Sequence, residues 1–400
     1  MPSTVLRGKQ IVLGVSGGIA AYKAVELLRL MKKEEADVRV ILTANAQWFV
    51  GPGTFQALSG QPVCTNLFNG EGDASIRHIE WAESADAVVI APATANIIGK
   101  LAGGIADDAL STFMLAVTSP VLLCPAMNTH MYENRAVQRN LDTLEADGYH
   151  ITEPGAGQLA CGTTGPGRLP EPAEILDRLR QVLTRKDLSN KRILVTAGPT
   201  QEAIDPVRFI SNPSTGKMGY AIARAAEYRG ATVVLVSGPT NLPDPANVTT
   251  IRVRSAREMA DAVFDHLDGS DIIIKTAAVS DYRPREIAEQ KIKKSADEMT
   301  LTLQKNIDIL RELGQRKNGR ILVGFAAETE ELVQNASKKL VEKNLDIIVG
   351  NLIGVKGSGF GADTNKVTLF FRDGSRESLD TMEKEQVANT LLDRVVGQLT

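Results

Sequence analysis

The sequence predicts the α/β class: two doubly wound, Rossmann-like domains built on mainly parallel sheets. Three observations predict it. Short β-branched runs alternate with helix-period stretches along the whole chain. The alternation starts again at 191–196 with a fresh buried run, KRILVT. The length of 400 residues, at about 150 per domain, supplies two or three cores.

The first series opens at 9–15 (KQIVLGV), a continuous apolar run of the kind a strand covered on both faces needs. Ser16-Gly17-Gly18 interrupt it, and an amphipathic stretch follows over 19–33. Further strands are expected at 37–43, 86–91 and 120–124, and a helix over 175–183 closes the half. The polar stretch 184–190 (TRKDLSN) reads as a linker that divides 1–186 from 187–400. In the second half, strands are expected at 191–196, 231–236, 271–276, 320–325 and 345–349, with a helix over 330–343. Gly and Pro crowd 153–172 and 354–361, as mobile functional loops or as irregular connections.

Composition narrows the function. Lys plus Arg number 45 against 48 Asp plus Glu, a net charge of −3. That balance gives no global field for nucleic acid. The N-terminus lacks a basic segment followed by a long apolar run, and no stretch reaches about 18 apolar residues, so neither a signal peptide nor a membrane span is expected. A cytoplasmic location follows. The 3 cysteines form no CxxC, and the 4 histidines show no HxxxH or HExxH spacing, which disfavours a disulfide scaffold and a zinc site. A metal carried in on a phosphate remains compatible.

In open α/β sheets ligands sit beyond the carboxyl ends of the strands. In the first half those ends deliver Ser16-Gly17-Gly18, Thr43, Thr94-Ala95-Asn96 and Pro125-Ala126-Met127-Asn128. Small residues at a helix start let backbone amides approach an anion, and the hydroxyls and amides suit a phosphate with a flat polar ring. The GxxGG spacing is not GxGxxG, and Thr43 stands where a dinucleotide site wants an acidic residue, so NAD is disfavoured. His78, just before the strand at 86–91, fits a helix-surface residue or a general base. Cys161 lies in a Gly-rich loop, a poor place to bury a thiol, and the loop reads as a flap.

In the second half the strand ends deliver Ala197-Gly198-Pro199-Thr200, Ser237, Ala277-Ala278-Val279-Ser280-Asp281 and Phe325-Ala326-Ala327-Glu328. The stretch 208–219 (RFISNPSTGKMG) would make a phosphate cradle at a helix start, although it is not a Walker loop. Lys291 and Lys293 share one face of an extended chain. Lys339 and Lys343 are i,i+4 neighbours that repel unless an anion lies between them, or else form a solvated basic surface. Asp281 fits a hydrated Mg²⁺, a ribose hydroxyl or a cap.

The motifs GVSGGIAAYK, HIEWAESAD, APATANIIGKLAGGIADD, PAMNTHMYEN and GQLACGTTGPGR resemble, in order, the FMN-dependent cysteine decarboxylases. The chain as a whole resembles the bifunctional phosphopantothenoylcysteine decarboxylase / phosphopantothenate–cysteine ligase family of coenzyme A synthesis. The resemblance implies a flavodoxin-like first domain, with Ser16, Gly17, Gly18, Thr43, Thr94, Asn96, Ala126 and Met127 on FMN. His78 would be the base, Asn128 would bind the substrate carboxylate, and Cys161 would protonate the final intermediate. A carbanion beside an unactivated carbon has nowhere to delocalise. In the family, flavin oxidation of the thiol-bearing carbon creates the electron sink that lets CO₂ leave.

The second half resembles the ligase portion of the same family through AGPTQEAIDPVRFISNPSTGKMG, IKTAAVSDYRP, KIKK, KNIDIL and GFAAET. That portion activates 4′-phosphopantothenate with CTP and Mg²⁺ as an acyl-cytidylate, and cysteine then displaces CMP. By resemblance, Asn212 would stabilise the activation step and Lys291 would assist attack on the intermediate. Ala277, Ala278, Asp281, Lys291, Phe325, Lys339, Lys343 and the run Ile307-Asp308-Ile309-Leu310 would surround CTP, with Asp281 a possible Mg²⁺ ligand. Two departures stand out: Pro213-Ser214-Thr215 follow Asn212 in place of a Ser-Ser-like cradle, and Ile307 replaces the proline of KNPDI. The resemblance also implies a homo-oligomer of decarboxylase trimers and ligase dimers. The competing readings are a nucleotide-dependent oxidoreductase, disfavoured by Thr43 and Ser237, and a flavin-binding regulatory protein, disfavoured by His78, Asn128 and Cys161 together.

Overall fold

The computed structural model describes residues 5–66, 74–158, 164–293, 299–328, 330–352 and 361–399, except for the side chains of 74–78, 158 and 352. Contacts divide the chain into two compact units, Met1–Thr184 and Arg185–Thr400. Among the described residues no helix is long and apolar enough to cross a membrane.

The first unit runs β1 (Gln10–Val15), α1 (Ala21–Lys33), β2 (Asp37–Leu42), α2 (Pro52–Ser59), β3 (Val63–Cys64), α3 (Ala74–Ser84), β4 (Ala87–Ala93), α4 (Ala95–Ala102) and α5 (Ala109–Met114). It continues through β5 (Val121–Pro125), α6 (Thr129–Tyr132), α7 (Arg135–Ala146), β6 (His150–Ile151), the antiparallel pair β7 (Gly155–Gln158) and β8 (Thr164–Arg168), and α8 (Pro172–Leu183). Strands β1 to β6 form one parallel sheet in the order 3-2-1-4-5-6. That is the Rossmann order, whereas flavodoxin-like sheets run 2-1-3-4-5. A single edge element separates the two orders. Val63–Cys64, only two residues long, pairs with β2 at the edge. Without it Ala87–Ala93 counts as the third strand and the order reads 2-1-3-4-5.

Successive side chains of a strand alternate between faces, and both faces here are covered. Ala87 and Val89 of β4 pack with Leu27, Leu28, Ile175 and Leu179 from α1 and α8. Val88 and Ile90 pack with Ile97, Phe113 and Leu141 from α4, α5 and α7. Phe113 is fully buried, which contributes roughly 1.5–3 kcal/mol. Pro172 at the first turn and a Glu171/Glu174 capping box start α8. Lys23 of α1 pairs with Glu171 at 2.8 Å, and Arg180 pairs with Glu34, tying α8 to α1.

The second unit runs β9 (Arg192–Ala197), β10 (Gln201–Ala203), β11 (Phe209–Ser211), α9 (Lys217–Tyr228), β12 (Thr232–Ser237), β13 (Thr249–Arg252), α10 (Ala256–Asp265), β14 (Ile272–Lys275), β15 (Tyr282–Pro284), β16 (Leu303–Lys305) and α11 (Ile309–Gln315). Then come β17 (Ile321–Glu328), α12 (Leu332–Glu342), β18 (Ile347–Leu352), β19 (Thr364–Asn365), β20 (Val367–Phe371), β21 (Arg376–Ser378), β22 (Met382–Glu383) and α13 (Lys384–Val396). Its main sheet is ordered β13-β12-β9-β14-β17-β18-β20-β21. It is parallel through β18, with β20 and β21 added antiparallel at the edge. Helices α9 and α13 cover one face through Ala223, Leu391 and Leu392, and α10, α11 and α12 cover the other through Val263, Leu313 and Leu340. The two doubly wound, mainly parallel sheets are those the sequence predicts.

Candidate functional sites

A cleft of about 860 Å³ opens beyond the carboxyl ends of β1, β2, β4 and β5, within the roughly 300–1,000 Å³ of small-molecule sites. Ser16, Gly17, Gly18, Thr43, Thr94, Asn96, Ala126, Met127 and Asn128 all line it. The structure thus brings together every residue that the resemblance places on a flavin in this half, with Asn128 beside them. His78 lies on α3, but its side chain is outside the described residues, and so is Cys161. The hairpin strand β8, which follows Cys161, contributes Gly167 and Arg168 to the wall.

Ser16 is buried, and its hydroxyl donates to the Pro92 carbonyl at 2.7 Å. The same oxygen accepts the Thr94 backbone amide at 3.0 Å, with Thr94 Oγ1 3.1 Å away. A hydroxyl carries one proton, so the contact between the two hydroxyls takes its proton from Thr94. Gly17 is required by close approach: a Cβ there would lie 2.3 Å from Asn45 Cβ and 2.6 Å from its carbonyl carbon. Asn128 Oδ1 accepts the His130 amide at 2.9 Å and caps α6, which fixes the amide plane at the cleft.

The cleft's cations were not singled out from the sequence. Lys23, Lys100 and Arg168 line it against Asp108 as the one carboxylate among the lining residues. Lys100 bridges Asp107 and Asp108 at 2.6 Å each. Burial alone would lower its pKa, but the two carboxylates outweigh burial and raise it. Cys124, fully buried in β5, has its thiol pushed up to about 12 by burial, so it behaves as an apolar core residue.

In the second unit a cleft of about 370 Å³ lies at the ends of β14 and β17, against the loop entering α9. Asn212, Ala277, Ala278 and Phe325 line it as expected, together with the cradle 213–219. Asn212 Nδ2 donates to the Ala278 and Val279 carbonyls at 3.2 Å each, locking the loop to the end of β14. Gly219 lets α9 close onto β9, since a Cβ would meet Ala197 Cβ at 2.5 Å.

The remaining expected residues are not among those that line this cleft. Lys291 is exposed on the connection between β15 and β16, and Ile307 is exposed as well. Asp308 caps α11, and Ile309 and Leu310 are buried beneath it. Lys339 and Lys343 each find their own carboxylate, Glu328 at 2.6 Å and Asp308 at 2.9 Å. They form neither an empty anion fork nor a solvated basic face. The Asp281 carbonyl accepts the Asn306 amide at 2.8 Å.

Three lysines line the cleft: Lys217, within the expected cradle, and Lys275 and Lys384, which the sequence analysis did not single out. Lys217 pairs with Asp363 at 2.6 Å, and Lys384 donates to the Ala362 carbonyl. Lys275 ends the apolar run of β14, and its ammonium donates to the Ala277 carbonyl over a long 3.4 Å. Burial first, then repulsion from Lys343, push its pKa down to about 8 against the opposing pull of Asp308 and Asp281. Lys275 thus feels the charges of Lys343, Asp308 and Asp281. The signal was legible as a lone charge closing the run IIIK. Among the described residues no group of three or more His, Cys, Asp or Glu could hold a metal ion.

The family model described as "Flavoprotein" matches residues 1–184, and that described as "DNA/pantothenate metabolism flavoprotein C-terminal domain" matches residues 188–399. The coenzyme A biosynthesis bifunctional protein CoaBC of Bacillus subtilis (strain 168) is 50% identical over 397 residues, 98% of each chain. Its namesake in Escherichia coli (strain K12) is 46% identical over 396 residues, covering 98% of this chain and 97% of that one. A solved structure, the C-terminal domain of a coenzyme A biosynthesis bifunctional protein CoaBC, is 44% identical over 54% of this chain and 98% of its own, with TM-score 0.47. Fold and matches define the class: a flavoprotein unit fused to a pantothenate-metabolism unit. The chain belongs to the family of bifunctional coenzyme A biosynthesis proteins.

Proposed function

We propose that the second unit condenses 4′-phosphopantothenate with cysteine at the expense of CTP, and that the first unit decarboxylates the product to 4′-phosphopantetheine. The observation that supports this reading most strongly is the convergence of Ser16, Thr43, Thr94, Asn96 and Asn128 on one cleft, alongside near full-length similarity to relatives named as coenzyme A biosynthesis bifunctional proteins.

FMN is the cofactor proposed for the first cleft. The residues fit it: an 860 Å³ volume, hydroxyls at three strand ends and a glycine turn whose backbone a Cβ would obstruct. Bound flavin supplies a reversible two-electron sink. The chain's own residues do the rest. Ser16 and Thr94 hold the ends of β1 and β4 together at the wall of the cleft. Asn128, clamped by its cap, offers a fixed amide to the substrate carboxylate. His78 takes the substrate thiol proton, and Cys161 returns a proton at the end, in the assignment carried by the resemblance.

In the second cleft the carboxylate of 4′-phosphopantothenate attacks the α-phosphorus of CTP, forming the acyl-cytidylate and releasing pyrophosphate. The amine of cysteine then attacks the acyl carbon and CMP departs. Asn212 orients the first step, Lys291 assists the second, and Lys217, Lys275 and Lys384 supply positive charge for phosphate oxygens. Mg²⁺ would arrive on the triphosphate, with Asp281 the residue proposed to meet it. Assembly from trimers of the first unit and dimers of the second, in the cytoplasm, completes the proposal. The purified protein is expected to be yellow, with about one FMN per chain; a folded, flavin-free protein that binds no added FMN contradicts the reading.

A further inference from the structure

Lys291 rides on a segment with no helix or strand to stiffen it. A long side chain on such a segment loses substantial rotamer freedom before it can act, so something must hold the backbone beneath it. The turn before β11 does so. Asp205 is 2% exposed. Its Oδ1 accepts the Val207 and Arg208 amides at 2.8 Å each, and its Oδ2 accepts the Ile292 amide at 3.2 Å. Arg208 Nη2 donates to the Ile292 carbonyl at 2.6 Å, and the Ala288 amide donates to the Ile204 carbonyl at 3.0 Å. Both backbone polar groups of the residue after Lys291 are therefore taken by one turn.

The carboxylate is built to stay charged. Burial would raise its pKa, but the three amides and Arg208 outweigh burial and hold it below the usual range. A protonated or amide side chain could not accept all three bonds as well. The same turn leads through β11 to Asn212, but Asn212 has its own anchor on the Ala278 and Val279 carbonyls, so the grip on Ile292 bears on Lys291 alone.

We propose that Asp205 is the positioning residue of Lys291: its buried carboxylate, together with Arg208, grips Ile292 and aims the lysine at the acyl-cytidylate. The inference rests on the role proposed for Lys291. A misaimed group costs on the order of tenfold to a hundredfold in the step it serves, and the loss should fall on amide formation, not on activation.

The test uses the full-length, flavin-loaded protein with Asp205→Ala, Asp205→Asn and Lys291→Gln compared in parallel. Acyl-cytidylate and amide are quantified after addition of 4′-phosphopantothenate, CTP, Mg²⁺ and cysteine, and hydrogen exchange is followed in a peptide spanning 288–293. Asp205→Ala should speed exchange in that peptide and slow amide formation by about tenfold or more, with acyl-cytidylate accumulating and pyrophosphate release nearly unchanged. Asp205→Asn should fall between it and the parent. Retained pyrophosphate release controls for folding of the second unit, and decarboxylation of supplied 4′-phosphopantothenoylcysteine by the first unit should be unchanged. Normal amide formation in Asp205→Ala while Lys291→Gln is blocked overturns the positioning role alone, as does an equal loss of both half-steps. Normal amide formation in Lys291→Gln instead overturns the underlying assignment of Lys291.

Discussion

Ser16 and Thr94 stand 78 positions apart in the chain, yet the Thr94 amide donates to the Ser16 hydroxyl at 3.0 Å. The bond joins the ends of the two strands that floor the first cleft, and the Ser16 proton is spent on Pro92.

Ser16→Ala removes the acceptor and strands a buried amide, a loss of about 1–3 kcal/mol. The expected outcome is reduced flavin per chain by absorbance, with CTP-dependent pyrophosphate release intact. Full flavin content would remove Ser16 from the site.

Neighbouring glycines should behave differently. At Gly17 a Cβ meets Asn45 at 2.3 Å, whereas at Gly18 the nearest atom is Thr94 Cγ2 at 3.5 Å. Gly17→Ala should abolish flavin retention and CO₂ release, while Gly18→Ala keeps most of both. Equal losses would show that backbone approach is not what the turn provides.

Lys275 gives the ligase a pH signature. Its ammonium, held at about 8, is charged below that value and neutral above it. Ligase turnover should decline above about pH 8 as this cation is lost, and Lys275→Arg should extend activity to higher pH because a guanidinium stays charged. The stability effect has a definite sign. Between about 8 and the ordinary lysine value of about 10.4 the unfolded chain binds a proton that the folded chain does not, so this group's contribution to stability rises with pH across that window. Lys275→Met should flatten that rise in melting curves; an unchanged pH profile in both variants would contradict the placement.

Asn212 gives both amide protons to carbonyls at the end of β14. Asn212→Asp sets a carboxylate against those two carbonyls, so acyl-cytidylate formation should fall by on the order of a hundredfold while CO₂ release from supplied 4′-phosphopantothenoylcysteine persists. Loss of both activities in a folded variant would break the division of labour.

Long buried strands announced themselves: β1, β4, β9 and β14 are apolar runs that only a sheet covered on both faces accommodates, and the structure moves their ends by a residue or two. Short edges did not. Val63–Cys64 and His150–Ile151 are two residues each, too brief for any periodicity, and the first of them decides the strand order. The flavin-side residues were legible because small residues and hydroxyls cluster at strand ends. The roles of Lys275 and Asp205 were not, because they come from partners far along the chain: Lys343 for the first, and Ile292, 87 positions away, for the second.

The most direct measurement incubates the yellow protein with 4′-phosphopantothenate, cysteine, CTP and Mg²⁺ and reads the products by mass spectrometry. The account predicts 4′-phosphopantetheine, with CO₂, CMP and pyrophosphate released in equal amounts, and accumulation of 4′-phosphopantothenoylcysteine in His78→Asn. Amide that never loses CO₂ in the flavin-loaded parent protein, or no amide at all, would contradict it.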